Sequence, residues 1–156
     1  FKELLESEYV IDGININTIM LNHPGNTLGY KLTDGNGKTL AYITDNELEP
    51  VGHPHYNAHY REKLEQFLFG VDILIHDSCY FDDEYKSKVG WGHPPLTSLL
   101  ELAANAKVKS LYLSHHDPSH NDDKVTEKEN LAIEFFKEKG VEITCYAARE
   151  GTSINL

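Results

Sequence analysis

The sequence predicts a single α/β domain built on a mixed β-sheet. In the first part of the chain, short apolar runs are separated by turn residues, which is typical of antiparallel strands. In the second part, helix-like and strand-like segments alternate three times, which indicates βαβ crossovers and therefore parallel strands. The 156 residues are enough for one hydrophobic core but not for two.

Three strands are predicted in the first part of the chain. Residues 2–8 resemble the end of a helix, and an apolar strand follows at residues 14–21. Apolar and polar residues alternate in residues 28–33, as on a half-buried strand. The Asp-Gly-Asn-Gly turn at residues 34–37 leads into a strand at residues 40–44, which completes an antiparallel hairpin.

The rest of the chain is predicted to contain three helices, each followed by a strand. Residues 126–129 match the capping box that opens a helix, and Gly140 is placed to end that helix. His76 lies inside an apolar strand, so we interpret it as a hydrogen-bonded core histidine, and the acidic run at residues 82–84 is interpreted as a solvated loop. The predicted helices cover residues 60–69, 96–106 and 127–139, and the predicted strands cover residues 71–76, 108–114 and 141–146.

Charge and composition exclude several classes of function. The net charge of −11 arises from 14 basic and 25 acidic residues, and the basic ones are scattered, so a long nucleic acid is not an expected partner. No apolar run approaches the ~18 residues of a membrane-spanning helix, and no secretory signal is recognisable. We expect Cys79 and Cys145 to be free thiols in a reducing cytoplasm, with a disulfide as the alternative.

The candidate functional residues follow the ends of predicted strands. His23, Asp45 and His115 each come directly or closely after an apolar strand, and Asp77 ends another. Polar groups at such strand ends meet in a shared crevice of an open α/β sheet. Imidazole and carboxylate groups are ligands for divalent metals, so these residues predict one wall of a metal site. His93, in a Gly-Trp-Gly-His turn, is predicted to join the same edge.

With these motifs in order, the chain resembles the C-terminal half of the metallo-β-lactamase fold hydrolases. The branch that it resembles most includes ribonuclease Z and related phosphodiesterases. The resemblance implies that residues 1–156 form half of an αββα sandwich, with an antiparallel hairpin, βαβ units and helices on one face of the sheet. The matching motifs, which span most of residues 19–120, are Leu21-Asn22-His23-Pro24, Tyr42-Ile43-Thr44-Asp45, Asp72-Ile73-Leu74-Ile75-His76-Asp77, Gly92-His93 and Leu113-Ser114-His115.

The resemblance also implies roles for these residues. Proteins of this family bind two divalent metal ions, most often zinc, while manganese and iron are also compatible with His and Asp ligands. His23 resembles a single histidine ligand, Asp45 the bridging carboxylate and His115 the final histidine ligand. Asp77 and His93 resemble a carboxylate–histidine pair whose histidine protonates the leaving oxygen.

Two departures from the family pattern concern the predicted catalytic pair. The ribonuclease Z branch usually has Glu where this chain has Asp77, and it has Ser-Thr where this chain has Pro94-Pro95. The upstream His-x-His-x-Asp-His motif is also absent, since no histidine precedes His23. His53, His55 and His59 imitate that motif only in part and fall after Asp45, so we interpret them as a histidine-rich loop near the site.

Each candidate also has a structural interpretation. His23 and Asp45 could be turn or loop residues that bond the backbone. Asp77 could cap the loop after its strand, and His93 could be the N-cap of the following helix. His116 competes with His115 for the position that faces the crevice.

The leading functional hypothesis is the C-terminal half of a cytoplasmic, dinuclear metal-dependent hydrolase. Its expected substrate is a small phosphodiester of the cyclic nucleotide or RNA-end type. Alone, the segment is expected to be inactive, because it offers too few metal ligands. The chain begins with Phe1, which favours a segment of a longer protein. The alternatives are a non-catalytic half-fold that associates with another chain or a second copy, and a metal-binding role for the histidine-rich loop.

Overall fold

The computed structural model describes residues 3–156, which form one seven-stranded mixed sheet and four helices. The strands lie side by side in chain order. The strands are β1 (Glu8–Ile11), β2 (Ile14–Met20), β3 (Leu28–Thr33), β4 (Thr39–Ile43), β5 (Ile73–Asp77), β6 (Ser110–Ser114) and β7 (Thr144–Ala147). The helices are α1 (Ala58–Leu68), α2 (Asp82–Tyr85), α3 (Leu96–Asn105) and α4 (Asp122–Lys139).

The topology confirms the predicted α/β fold class. Strands β1 to β4 pair antiparallel as a meander, and β4 to β7 pair parallel. Helix α1 connects β4 to β5, α3 connects β5 to β6, and α4 connects β6 to β7. These are the βαβ crossovers that the alternating pattern predicts, and they follow the predicted hairpin of β3 and β4.

The helix predicted over residues 2–8 is wrong where the structure describes it, and residue 2 lies outside the described part of the chain. Residues 3–7 are irregular, and β1 begins at Glu8. Asp12 and Gly13, with φ of 50° and 81°, turn the chain back so that Ile11 pairs with Ile14. A two-residue turn with positive φ at both positions suits the twist of a β-hairpin, and Asp-Gly is a preferred sequence for it. This local signal outweighs the apparent helical pattern.

Two larger differences from the prediction also concern the helices. Helix α4 begins at Asp122, because the side chain of Asn121 accepts a hydrogen bond from the Lys124 amide and caps the helix earlier than Thr126 would. Gly140 ends the helix with φ of 66°, as predicted. The acidic run that was expected to be a loop instead forms the short helix α2.

Helices α1, α3 and α4 cover one face of the sheet and enclose a continuous apolar core. Both cysteines are buried and free, and burial raises the pKa of the Cys145 thiol to about 12. None of the helices in residues 3–156 combines the length and apolar character that a bilayer crossing requires. Core residues from the sheet include Ile19, Ala41, Leu74, Leu111 and Cys145, and those from the helices include Leu64, Leu99, Ala132 and Phe136.

The opposite face of the sheet carries a row of aromatic and aliphatic side chains. Strand register places Tyr30 beside Tyr42, then Ile75, Tyr112 and Tyr146, one on each of five adjacent strands. Tyr42 and Tyr146 are each 44% exposed. No helix among residues 3–156 covers this row, which we call the tyrosine row.

Candidate metal centre

The structure gathers the predicted site residues at one edge of the sheet. Strands β4, β5 and β6 are parallel, so the loops that carry Asp45 and His115 leave the same edge at which Asp77 ends β5. Strand β2 runs in the same direction as β4, since both are antiparallel to β3, and His23 therefore emerges at this edge too. His93 approaches from the loop before α3.

Asp45 lies between the two predicted histidine ligands. Its Oδ2 is 3.8 Å from His23 Nε2, and its Oδ1 is 3.5 Å from His115 Nε2. One ligand atom each from His23, Asp45 and His93 also lie within 4.8 Å of one another. A carboxylate flanked by two imidazoles has the chemistry of a bridging metal ligand, so these side chains fit part of a dinuclear centre.

The turn after β2 fixes the orientation of the His23 ring. Its Nδ1 accepts a hydrogen bond of 2.9 Å from the Gly25 amide, so in the neutral ring the proton lies on Nε2, which faces Asp45. Metal binding through Nε2 would require the other tautomer and would release the Gly25 amide. His23 therefore bonds the backbone of its own turn through Nδ1, and it also lies beside Asp45 through Nε2.

Asp77 and His93 form a direct carboxylate–imidazole pair. His93 Nδ1 lies 2.7 Å from Asp77 Oδ2, and Asp77 is fully buried. Burial raises the pKa of this carboxyl, but the neighbouring imidazoles of His115 and His93 outweigh burial and hold the pKa below its ordinary value. The amides of Cys79 and Asn46 also donate to Asp77. His93 is not the N-cap of α3, since Pro95 occupies that position.

Of the two adjacent histidines, His115 faces the crevice. Its backbone has φ of 53°, in the left-handed region that few residues other than glycine adopt. This conformation brings His115 Nδ1 to 3.6 Å from Asp77 Oδ1, and the nearby Asp77 carboxylate raises the pKa of His115 to about 10. His116 points away and contacts Ser78 Oγ at 3.5 Å, and burial lowers its pKa to about 4.

Sequence reasoning missed a buried carboxylate that supports the loop of His93. Glu47, only 4% exposed, accepts hydrogen bonds from the amides of Gly90 and Gly92 and from the hydroxyl of Tyr85. The two amides flank Trp91, so Glu47 fixes the conformation of the Gly-Trp-Gly-His turn. A glutamate in an irregular segment gives no sequence signal for such a role, because its partners lie up to 45 residues away.

A fully buried lysine supports the loop after β5. Lys128 on α4 donates from Nζ to the backbone carbonyls of Ser78 and Cys79, directly after Asp77. Burial lowers the pKa of Lys128 to about 8. These bonds connect α4 to the segment that presents the Asp77 carboxylate, and no sequence motif indicated them.

The histidine-rich loop lies apart from these contacts. The rings of His53 and His55 are 5.5 Å apart, and His59 lies on α1. In residues 3–156, the groups of three or more metal-binding side chains do not include these histidines. The metal-binding role that the sequence suggested for this loop as an alternative therefore finds no support in this geometry.

A match to a known sequence family shows which superfamily the chain belongs to. The sequence pattern of the "Beta-lactamase superfamily domain" matches residues 14–116. The chain belongs to this superfamily. The matched region contains His23, Asp45, Asp77, His93 and His115.

Individual members of the superfamily show the same relationship. The chain is 40% identical over 67 residues to the ribonuclease Z of Saccharolobus solfataricus and 26% identical over 122 residues to that of Phocaeicola vulgatus. These matches cover 43% and 74% of the chain, but only 22% and 38% of the relatives. The chain therefore spans less than half the length of these curated relatives, and the predicted likeness to the ribonuclease Z branch is confirmed.

A solved structure confirms the fold. The metallo-β-lactamase fold protein YhfI from Bacillus subtilis superimposes with a TM-score of 0.66 at 18% identity. The superposition covers 91% of this chain and 49% of YhfI. This superfamily member therefore adopts about half of a metallo-β-lactamase fold.

Proposed function

We propose that the chain is the C-terminal half of a dinuclear metal-dependent hydrolase that cleaves phosphodiesters. The observation that carries this proposal is the position of Asp45 between His23 and His115, with the Asp77–His93 pair at the same edge. The ribonuclease Z relatives support hydrolysis of a phosphodiester in particular. On this proposal His23, Asp45 and His115 are metal ligands, while His93 and Asp77 are catalytic.

The segment offers an incomplete set of ligands for two metal ions. One ion would find His23 and Asp45, and the other would find His115 and the same Asp45. A catalytic zinc ion usually has three protein ligands. We therefore propose that the remaining ligands come from an N-terminal half, which agrees with the greater length of the relatives, and that this segment alone is nearly inactive.

In the complete site, two divalent ions, zinc by preference and manganese or iron as alternatives, would polarise a phosphate oxygen and activate a water. His93 would hold a proton on the nitrogen that faces the leaving oxygen and donate it as the ester bond breaks. Asp77 accepts from His93 Nδ1 and so orients the ring for that transfer. The buried position of Asp77 keeps water from competing for this hydrogen bond.

The substrate that we propose is a small phosphodiester, such as a cyclic nucleotide or an RNA end. The acidic surface, with a net charge of −11, disfavours long nucleic acids but does not prevent a metal-held anion from binding. Two free buried thiols agree with a reducing cytoplasm as the working compartment.

The first test measures metal content and hydrolysis in the full-length protein that contains this chain. We expect about two divalent ions per site and cleavage of bis-p-nitrophenyl phosphate. Replacing Asp45 by Asn removes the shared negative ligand and should cost most of the bound metal and at least ~10²-fold in rate. The exposed Asp123→Asn variant should behave as the parent protein. A parent protein without bound metal, or an Asp45→Asn variant with full activity, would disprove the proposal.

A second candidate function is non-catalytic association through the tyrosine row. Such an apolar sheet face needs cover, either from an N-terminal half or from a second copy of the chain. Residues Leu4, Ile16, Leu32 and Leu40 extend the face beside Tyr30, Tyr42 and Ile75 around a groove of about 430 Å³.

Light scattering on the 156-residue chain tests this association. If the tyrosine row mediates self-association, the chain should be at least dimeric. Pairing two copies would remove this apolar face from water, and each Å² of apolar surface buried contributes about 25 cal/mol of favourable free energy. Replacing Tyr42 and Tyr146 by Ser should shift it towards the monomer. A stable, strictly monomeric chain would exclude self-association through the tyrosine row. Cover by an N-terminal half would then be the remaining interpretation of this face.

A further inference from the structure

A second set of metal-binding groups lies on the inner side of the candidate centre. One ligand atom from each of Asp77, Cys79, His93 and His115 lies within 4.8 Å of the other three. Asp77 ends β5, and Cys79 follows two residues later, so the backbone holds both groups rigidly at the sheet edge.

The chemistry of this set differs from that of the Asp45 site. A thiolate, two imidazoles and a carboxylate form a four-ligand set typical of zinc, in which sulfur favours softer ions over magnesium, calcium or manganese. Ligand atoms around a tetrahedral zinc ion lie roughly 3–4 Å apart, given bond lengths of ~2.0–2.3 Å. The separations do not exceed 4.8 Å, and the two pairs that involve Asp77 and a histidine lie at 2.7 Å and 3.6 Å.

Burial and access also suit an ion. Asp77 and Cys79 are 0% and 3% exposed, so they would provide a dry, preformed base. The side chain of His115 is 48% exposed and provides the path from solvent. Its two ring nitrogens serve different sites, since Nδ1 faces Asp77 and Nε2 faces Asp45.

We propose that Asp77, Cys79, His93 and His115 form a site for one borderline or soft divalent ion, such as Zn²⁺ or Cd²⁺. On binding, the ion displaces the thiol proton of Cys79, the proton on the His115 nitrogen that faces Asp77 and the proton held between His93 and Asp77, and these protons pass to solvent. Occupancy therefore removes His93 from proton transfer. This regulatory consequence rests on the proposed function, whereas binding itself does not.

Cobalt titration of the 156-residue chain under reducing conditions tests the site directly. Co²⁺ should bind with a stoichiometry that includes one tetrahedral, thiolate-ligated ion, seen as a sulfur-to-cobalt charge-transfer band in the near ultraviolet. The Cys79→Ser variant should lose this band. The matched control is Cys145→Ser, whose thiol lies in the core beneath α4 and should not contribute to the band. The Asp45→Asn variant should retain it.

Three outcomes would overturn the proposal: no band in the unmodified chain, a band that persists in Cys79→Ser, or a band that disappears in Cys145→Ser. Far-ultraviolet circular dichroism identifies a variant that fails to fold. For that case, ¹¹³Cd NMR of the unmodified chain is decisive, because sulfur ligation shifts the cadmium resonance far from the position of nitrogen and oxygen sites. A full-length protein that contains this chain and binds cobalt through Cys79, but hydrolyses no phosphodiester, would refute the proposed function alone.

Discussion

Replacing His93 by alanine should lower phosphodiester hydrolysis by the full-length protein ~10²–10⁴-fold, the usual contribution of a positioned general acid. The loss should depend on the leaving group. A dinucleotide releases a basic alkoxide that needs the proton, whereas p-nitrophenolate leaves readily without one. We therefore expect the larger loss with a dinucleotide and the smaller one with bis-p-nitrophenyl phosphate, measured as kcat/KM for each substrate.

Two comparisons make this expectation specific to proton transfer. The Asp77→Asn variant retains a similar shape but loses the carboxylate that accepts from His93 Nδ1, so it should show the same dependence on the leaving group. The exposed His59→Ala variant on α1 should retain full activity. An equal loss of activity of His93→Ala on both substrates would assign His93 to metal binding or substrate positioning instead of acid catalysis.

The sequence predicted which polar side chains converge because these residues follow strand ends. The positions of His23, Asp45 and His115 are set by β2, β4 and β6, and parallel alignment of these strands is enough to bring the three side chains to one edge. Local patterns that predict strands therefore also predict which polar groups converge. The same reasoning favoured His115 over His116, and the left-handed backbone at His115 now accounts for its orientation.

The supporting residues escaped prediction because their partners are distant in the sequence. Lys128 bonds to carbonyls 49 and 50 residues away, and Glu47 bonds to amides 43 and 45 residues away. Both occupy positions that a one-dimensional pattern assigns to a solvated face or an irregular loop. Buried charged groups of this kind become evident only when the fold shows what surrounds them, since burial without partners would be costly.

Local competition explains the errors at element boundaries. The capping box at Thr126 is a valid start signal, but Asn121 supplies a cap five residues earlier, and Asp122 and Asp123 add favourable negative charge in the first turn. A helix extends to the earliest position at which its first amides are satisfied. Similarly, the turn at Asp12 and Gly13 determines β1, although the residues before it contain several helix formers.

Replacing Gly92 by alanine should destabilise the chain by roughly 2–5 kcal/mol, the combined cost of left-handed backbone and overpacking. Gly92 has φ of 90°, and an added Cβ would lie 2.1 Å from His23 Cδ2 and 2.8 Å from Pro24 Cδ. Relief of this overlap requires movement of the His23 ring, which lies 3.8 Å from Asp45. The zinc affinity of the full-length protein that contains this chain should therefore fall together with stability, as measured by titration with zinc and by urea unfolding.

The same loop contains the control for this substitution. Gly90 has φ of 84°, donates its amide to the same Glu47 carboxylate and has no atom within 4 Å of an added Cβ. The Gly90→Ala variant should therefore lose only ~1–2 kcal/mol of stability, the cost of a left-handed backbone at alanine. Its zinc affinity should be unchanged. The difference between the two variants isolates the contact with His23. Equal losses of stability and of zinc affinity in the two variants would contradict this prediction. They would show that the close packing of Gly92 on His23 does not keep that histidine beside Asp45.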